Sequence, residues 1–470
     1  MPDDKRDNAA ADTVRSTSPA GEASTPTEST AATSATSTLN DTAAPAESMS
    51  GAGQTDQMND RTETPLRPFF TLWTGQTLSL LGSAAVQFAL IWWVTKETGS
   101  ATILATATLV GLVPQVVLGP VIGALVDRWS RKTIMLVADG VIGLASLVLA
   151  GLFLRGSAGP EHVLVLLFVR ALGAAFHGPA MKASTTLMVP ERLFTQIQGL
   201  NQSLEGLVLI VGAPLGALLY ATLPMAQVMM LDVGTALLAI VPLIFIHVPR
   251  PRASSESEPS VWQEMMAGFS YLRDRKGHLT LIGIAAVLNL MLVPAFSLLP
   301  LLVLERLHGD AAQFGWSTSI FGVGMLAGGI LLGVWGGFAR RIVTTLLGMV
   351  ALGLAVLAVG VTPEGNFTWL LGAMLAVGMM VPLVNGPVHA ILQATIAPEF
   401  QGRVFTLLAS LAGIMAPLGL LFAAPVAELV GVGTWYVAGG MLCVSLGALG
   451  FLLPTLMRIE GDEPVECAAG

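Results

Sequence analysis

The chain has 470 residues, 53% of them hydrophobic and only 11% charged, with a net charge of -8 and a mean hydropathy of +0.71. A soluble domain carries about 25% charged residues, so a water-facing globular surface is excluded. No basic cluster points to nucleic acid, and the only cysteines, Cys443 in an apolar segment and Cys467 near the C-terminus, argue against a disulfide framework or a thiolate metal site.

Residues 1–64 are rich in Ser, Thr, Ala and Asp and contain no apolar core of a signal peptide. They cannot bury enough surface to offset ordering entropy, so a disordered tail, a low-complexity spacer, is expected. Composition changes abruptly at Leu66. A helix needs about 20 apolar residues to cross a bilayer. Twelve segments qualify: 68–95, 101–126, 133–154, 162–184, 198–221, 225–247, 279–303, 313–338, 342–361, 367–390, 403–426 and 433–456. The fold class is therefore an all-α membrane protein, and the first span acts as its own insertion signal. Prolines interrupt several spans, and kinks are expected at Pro179, Pro214, Pro387 and Pro417.

Lys and Arg mark the cytoplasmic side of a membrane protein. From residue 67 on, the side bearing both termini collects fifteen of them and the opposite side three. Both termini are thus expected in the cytoplasm of a bacterial inner-membrane protein. The longest connection, 248–278, begins polar and then places Trp262, Met265, Met266, Phe269 and Leu272 at helical spacing, an amphipathic helix on the cytoplasmic face. It divides the chain into a six-helix bundle over 65–247 and another over 279–457, followed by a short tail, 458–470.

The two halves repeat each other. Gly178-Pro179 precedes Pro190-Glu191 as Gly386-Pro387 precedes Pro398-Glu399, with 11 residues from proline to proline in both and an offset of 208. Ala213-Pro214-Leu215-Gly216 recurs as Ala416-Pro417-Leu418-Gly419 at an offset of 203. A fainter match sets Gly119 to Arg131-Lys132 beside Gly328 to Arg340-Arg341, at 209. Six helices per half is even, so both halves enter the membrane from the same side, as in parallel repeats.

The strongest motif is Gly123-Ala124-Leu125-Val126-Asp127-Arg128-Trp129-Ser130-Arg131-Lys132, between the second and third spans. Gly119 and Gly123, four apart on one face, are expected to permit close helix approach, with Asp127 pairing across a gate while Arg128, Arg131 and Lys132 stay at the interface. The segment closely resembles the loop signature of the major facilitator superfamily, G-x-x-x-D-R-x-[GS]-R-K. Trp73-Thr74-Gly75-Gln76, Ser79-Leu80, Thr98-Gly99-Ser100-Ala101, Arg170, Phe176-His177-Gly178-Pro179-Ala180, Val189-Pro190-Glu191, Asp232 and Gly402-Arg403-Val404-Phe405 extend this resemblance to its macrolide efflux branch of drug:proton antiporters. The similarity runs from about Phe69 to Arg458. It implies two parallel six-helix bundles and proton-driven export of hydrophobic drug-like molecules. Two departures stand out. Gly212-Ala213-Pro214-Leu215-Gly216-Ala217 differs from the Gly-Pro-x-x-Gly-Gly of many such antiporters, and Glu205 stands where a neutral polar residue is expected.

Charges inside membrane helices are costly and mark function by default. Those here are Asp139, Arg170, Glu205 and Asp232. Arg170 and Asp232 lie at similar depth and can form an ion pair. Arg170, on a span that faces the central cavity in this superfamily, serves either transport or structural pairing; for Asp232 the structural role is favoured. Asp139 can reach back to Arg128 or Arg131 and lock the gate. Glu205 is the sharpest proton-carrier candidate, because a desolvated carboxylate holds its proton more tightly. His177 and His389 read as packing residues, and Trp92 and Trp93 as an interfacial belt. Gln76, Gln87 and Asn289 are candidates for hydrogen-bonding a substrate.

The function these readings favour is export of amphipathic small molecules by alternating access. The alternatives are export of an endogenous metabolite or siderophore, uptake, and a non-transporting receptor on the same fold. No catalytic Cys–His pair, serine nucleophile motif, metal cluster or phosphate loop occurs in a suitable context, so neither an enzyme nor a cofactor or metal is expected. The expected partners are a small-molecule substrate, protons and the lipid bilayer, with the chain a monomer.

Overall fold

The computed structural model describes residues 66–190, 193–246, 261–273 and 275–461. The expected N-terminal tail, the polar first part of the linker and most of the C-terminal tail lie outside the described residues. Each expected span is a helix: α1 (Leu66–Thr98), α2 (Ala101–Arg128), α3 (Arg131–Leu154), α4 (Pro160–Met188), α5 (Phe194–Thr222), α6 (Met225–Phe245), α8 (Lys276–Leu307), α9 (Ala311–Trp335), α10 (Arg341–Gly360), α11 (Phe367–Thr395), α12 (Pro398–Val430) and α13 (Val432–Gly450). All twelve are long and apolar enough to cross a membrane. The linker helix is α7 (Val261–Leu272), and α14 (Pro454–Met457) closes the described chain with one 3-10 turn.

Local chemistry sets where the ends depart from expectation. α12 starts at Pro398 rather than 403, because proline suits the first helical position and Glu399 complements the N-terminal dipole. α9 stops at Trp335 rather than 338, because Gly336 takes a left-handed φ of 76° and caps it. α13 ends at Gly450 rather than 456, ahead of Pro454, which opens α14. Pro179, Pro214, Pro387 and Pro417 sit inside helices that run unbroken through them, as neighbouring helices in a bundle allow.

Packing repeats as the sequence does. In the first half α1 lies against α5 and α6, α3 against α4 and α6, and α2 against α4. In the second half the same pairs recur six membrane spans on: α8 against α12 and α13, α10 against α11 and α13, and α9 against α11. Such contacts need small residues, since lipid provides no hydrophobic drive between helices. At the α9–α11 crossing a Cβ on Gly378 would stand 2.1 Å from the Phe321 carbonyl oxygen, so only glycine fits.

The halves meet along two seams related by the same repeat, α2 with α12 and α5 with α9. The α2–α12 seam begins at the end remote from the termini, where Ser100 Oγ (2.8 Å) and Thr102 N (3.0 Å) both donate to Glu428. It continues through Ala105, Leu420 and Ala424 to Gly413, whose Cβ would lie 3.7 Å from Val116. Gly119 continues this stripe on α2, yet a Cβ there would meet nothing within 4 Å. The α5–α9 seam behaves alike. Ser319 Oγ donates to the Ile210 carbonyl at 2.6 Å, a Cβ on Gly206 would sit 4.0 Å from Leu326, and Gly329 and Gly333 on the same stripe of α9 meet nothing. The bundles are joined at the remote end and part toward the end bearing the termini.

Trp92 is part of this closure rather than of an interfacial belt. It is 2% exposed and, with Phe88, stacks on Phe314 of α9, ring centres 5.8 and 4.5 Å apart. Trp93 packs edge-on against Phe153. The linker helix also differs in detail from its expected stripe. Met265 and Leu272 are buried while Met266 and Phe269 are exposed, and the Trp262 side chain lies outside the described residues. A Cβ on Gly268 would meet the Arg403 carbonyl oxygen at 2.5 Å and Tyr271 stacks on Phe400 at 4.2 Å. The helix therefore docks on the start of α12 through its narrowest face.

Candidate functional site

Polar groups inside the first bundle gather into two clusters. In one, Arg170 on α4 pairs with Asp232 on α6, at 6% and 0% side-chain exposure. Ser146 on α3 joins both, donating to Asp232 Oδ2 and accepting from Arg170 Nη1. Ser83 on α1 donates to Asp232 Oδ1 at 2.9 Å. Both carboxylate oxygens are thus engaged, as a buried charge in a membrane requires.

In the other cluster, Gln76 Nε2 on α1 donates to Asp139 Oδ2 on α3 at 3.0 Å. His177 Nε2 on α4 faces Asp139 Oδ1 at 3.4 Å, without hydrogen-bond geometry and with no other partner. The closeness of α3 and α4 here depends on Gly173, whose Cβ would stand 3.1 Å from the Ala138 carbonyl oxygen.

These positions correct several expectations. Asp139 does not reach back to Arg131, whose Nη1 instead donates to the Ala183 carbonyl of α4 at 2.6 Å. Gln76 is 6% exposed and committed to Asp139, so it is not free for a substrate. His177 is no mere packing residue, because it faces a carboxylate. Glu205 is exposed rather than buried: it sits one residue from Gly206, where α5 is about to part from α9. Gly119 makes no close helix approach, because α2 has already left α12. The side chains of Gly123, Asp127 and Arg128 lie outside the described residues. Gln87 is half-buried.

The basic end of the motif acts on helix termini. Lys132 Nζ donates to the Ile244 and Ile246 carbonyls at the end of α6, at 2.7 and 2.9 Å. A cation there satisfies orphan carbonyls and complements the dipole. Arg341, in the second half, donates to the Ala390 carbonyl of α11 at 3.3 Å, repeating what Arg131 does to α4. Replacing Lys132 with Met is expected to lower stability by about 1 kcal/mol, read as a modest fall in thermal midpoint of the detergent-solubilised protein. An unchanged midpoint would show that the cap contributes nothing.

The second bundle holds a cavity of about 660 Å³ between α8, α9, α10, α11 and α12. Leu288, Leu292, Phe296, Phe321, Met325 and Phe405 are among its apolar wall residues, and Asn289, Thr345, Asn385 and His389 supply the polar groups. The His389 ring stacks on Phe405 at 5.7 Å and its Nδ1 lies 2.9 Å from the Asn385 carbonyl. Asn289 bonds the Ala285 carbonyl through Nδ2 at 3.0 Å. The size and the few polar anchors in an apolar wall are those of a small-molecule site. Of the three expected substrate-contacting residues only Asn289 lines this cavity. Asn385 and His389 flank the Gly386-Pro387 of the repeat, but the sequence carried no sign that they face a void.

Known proteins resemble this chain along most of its length. The profile described as Major Facilitator Superfamily matches residues 72–405. Macrolide efflux protein A of Streptococcus pyogenes is 33% identical over 393 residues, covering 83% of this chain and 97% of that protein. Multidrug efflux pump Tap of Mycobacterium tuberculosis is 28% identical over 413 residues, covering 84% and 95%. Among solved structures, a bacterial homologue of the iron transporter ferroportin superposes with a TM-score of 0.63 at 15% identity, covering 84% of this chain and 99% of that one.

Proposed function

The chain belongs to the major facilitator superfamily, and from that premise we propose that it exports hydrophobic or amphipathic small molecules, macrolide-like among them, in exchange for protons. The observation that carries the reading is the 33% identity to a macrolide efflux protein across 83% of this chain and 97% of that protein. The apolar cavity of the second bundle supports it, since a bulky amphipathic molecule needs wall area and few polar anchors. The Lys and Arg asymmetry supports termini in the cytoplasm, which makes the parted end of the bundles the cytoplasmic one. A substrate would then enter from that side, and closing the cytoplasmic seams while opening the remote ones would release it outside.

Efflux of erythromycin and of the dye ethidium from cells expressing the full chain tests this. A protonophore is expected to abolish export. Phe296→Ala together with Asn385→Leu, both on the cavity wall, is expected to cut erythromycin export at least several-fold while leaving membrane insertion intact. If correctly inserted protein exports neither probe, a narrow metabolite substrate replaces the drug-export reading. If the cavity variants export erythromycin as the parent does, the substrate binds elsewhere.

A further inference from the structure

The two buried clusters are layers of one column. Gln76 and Ser83 on α1, Asp139 and Ser146 on α3, and Arg170 and His177 on α4 are each seven residues apart. At ~1.5 Å per residue the layers are about 10 Å apart. Their electrostatics differ in kind. Asp232 faces Arg170, a cation that does not give up its proton in proteins, and two hydroxyls besides. That layer is fixed. Among the described residues Asp139 faces no permanent cation: its neighbours there are the neutral amide of Gln76 and the titratable ring of His177. The ring is 20% exposed and the carboxylate 5%, so His177 is the more accessible member of the pair.

We propose that Asp139 and His177 are the pair that loads and releases the coupling proton, an assignment resting on the proton-driven reading above. A proton from water forms an N–H bond at His177 Nε2 or an O–H bond at Asp139 Oδ1, and the pair passes from one negative charge to none. Release to water breaks the same bond. A lone buried carboxylate is costly in a membrane. The unloaded pair therefore favours an arrangement that keeps it wet, and the loaded pair one that closes over it.

The charged and titratable groups around the pair, among the described residues, are few. On α3, Arg131 and Lys132 lie about two turns away, each held by helix-end carbonyls. On α4 they are exposed Lys182, Arg170, which is paired with Asp232 of α6, and, at the start of the helix, Glu161 and His162, which face each other. On α1 there are only Arg67 at the start and Lys96 and Glu97 near the end. Asp127 and Arg128 of α2 lie outside the described side chains.

Two measurements on the full chain in liposomes test the assignment. Infrared difference spectra on acidification should contain a titrating carboxyl or imidazole band that Asp139→Asn and His177→Gln remove and Asp232→Asn spares. A band kept in both variants, or lost only with Asp232→Asn, overturns the assignment. The second measurement compares erythromycin uptake driven by an imposed pH gradient with erythromycin exchange in its absence. His177→Gln, at the more exposed position, should keep exchange and lose at least ten-fold of gradient-driven uptake, which a merely structural role would not separate. Gradient-driven uptake at the parent rate in both variants overturns the assignment alone. A parent protein indifferent to the gradient overturns the proton-driven reading itself.

Discussion

Replacing Arg170 with Met should cost the protein much of its stability, and replacing Asp232 with Leu at the same time should restore most of it. The single change leaves Asp232, which is fully buried, as an uncompensated anion with only the Ser83 and Ser146 hydroxyls around it. Removing one partner of a buried ion pair costs about 3–5 kcal/mol, whereas replacing both by apolar groups of similar volume is often neutral. The double change therefore separates the worth of the pair from the penalty of an orphan charge. Thermal unfolding in detergent, followed by size-exclusion elution, measures both. A single variant as stable as the parent would show that Asp232 is protonated or hydrated and that the pair holds nothing together. Transport by the restored double variant would also place the Arg170–Asp232 layer outside the proton path and leave that path to the layer below.

The second large effect concerns motion. Gly119→Leu should fold normally and yet stop transport. In the present arrangement a side chain at 119 has open space. Position 119 nevertheless continues the stripe by which Ala105 and Val116 of α2 meet α12. Alternating access requires the parted end of this seam to close, and there a leucine would occupy the space that the facing helix must take. Spin labels on Trp129→Cys and Gly402→Cys, with Cys443 and Cys467 replaced, report the separation of α2 from α12. The parent should populate a long and a short distance and the Gly119→Leu protein only the long one, with export falling at least ten-fold. Export at the parent rate would mean that this face never closes.

Much of the architecture was legible because membrane helices obey a simple solvent. A backbone in lipid must satisfy its own hydrogen bonds, so some 20 apolar residues can only be a helix. The twelve spans, the linker helix and the two-fold repeat followed from that rule and from self-similarity. The same repeat explains why the packing of one half recurs in the other, as α3 with α6 recurs in α10 with α13. The Arg170–Asp232 pairing could be anticipated as well, from two opposite charges at one depth in an apolar medium with nowhere else to go.

The candidate site was only half legible, because burial inside a bundle depends on which helix faces which. Asp139 has Arg131 eight residues away along its own helix, yet it turns to Gln76 and His177 on two other helices. The seven-residue spacing of Gln76 with Ser83, Asp139 with Ser146 and Arg170 with His177 was present in the sequence, but three separate heptads become one column only when α1, α3 and α4 are set side by side. Glu205 carried the same charge as Asp139, although Asn201, Gln202 and Ser203 precede it where Asp139 follows an apolar run. Helix rotation and the opening of the α5–α9 seam decided that one would be buried and the other exposed. Sequence by itself determined how many helices cross the membrane and which residues are too polar to sit there idly, because those follow from transfer out of water. Tertiary structure alone decided which carboxylate faces an arginine, which faces a histidine and an amide, and where a cavity is left, because those depend on distances across helices that no local pattern encodes.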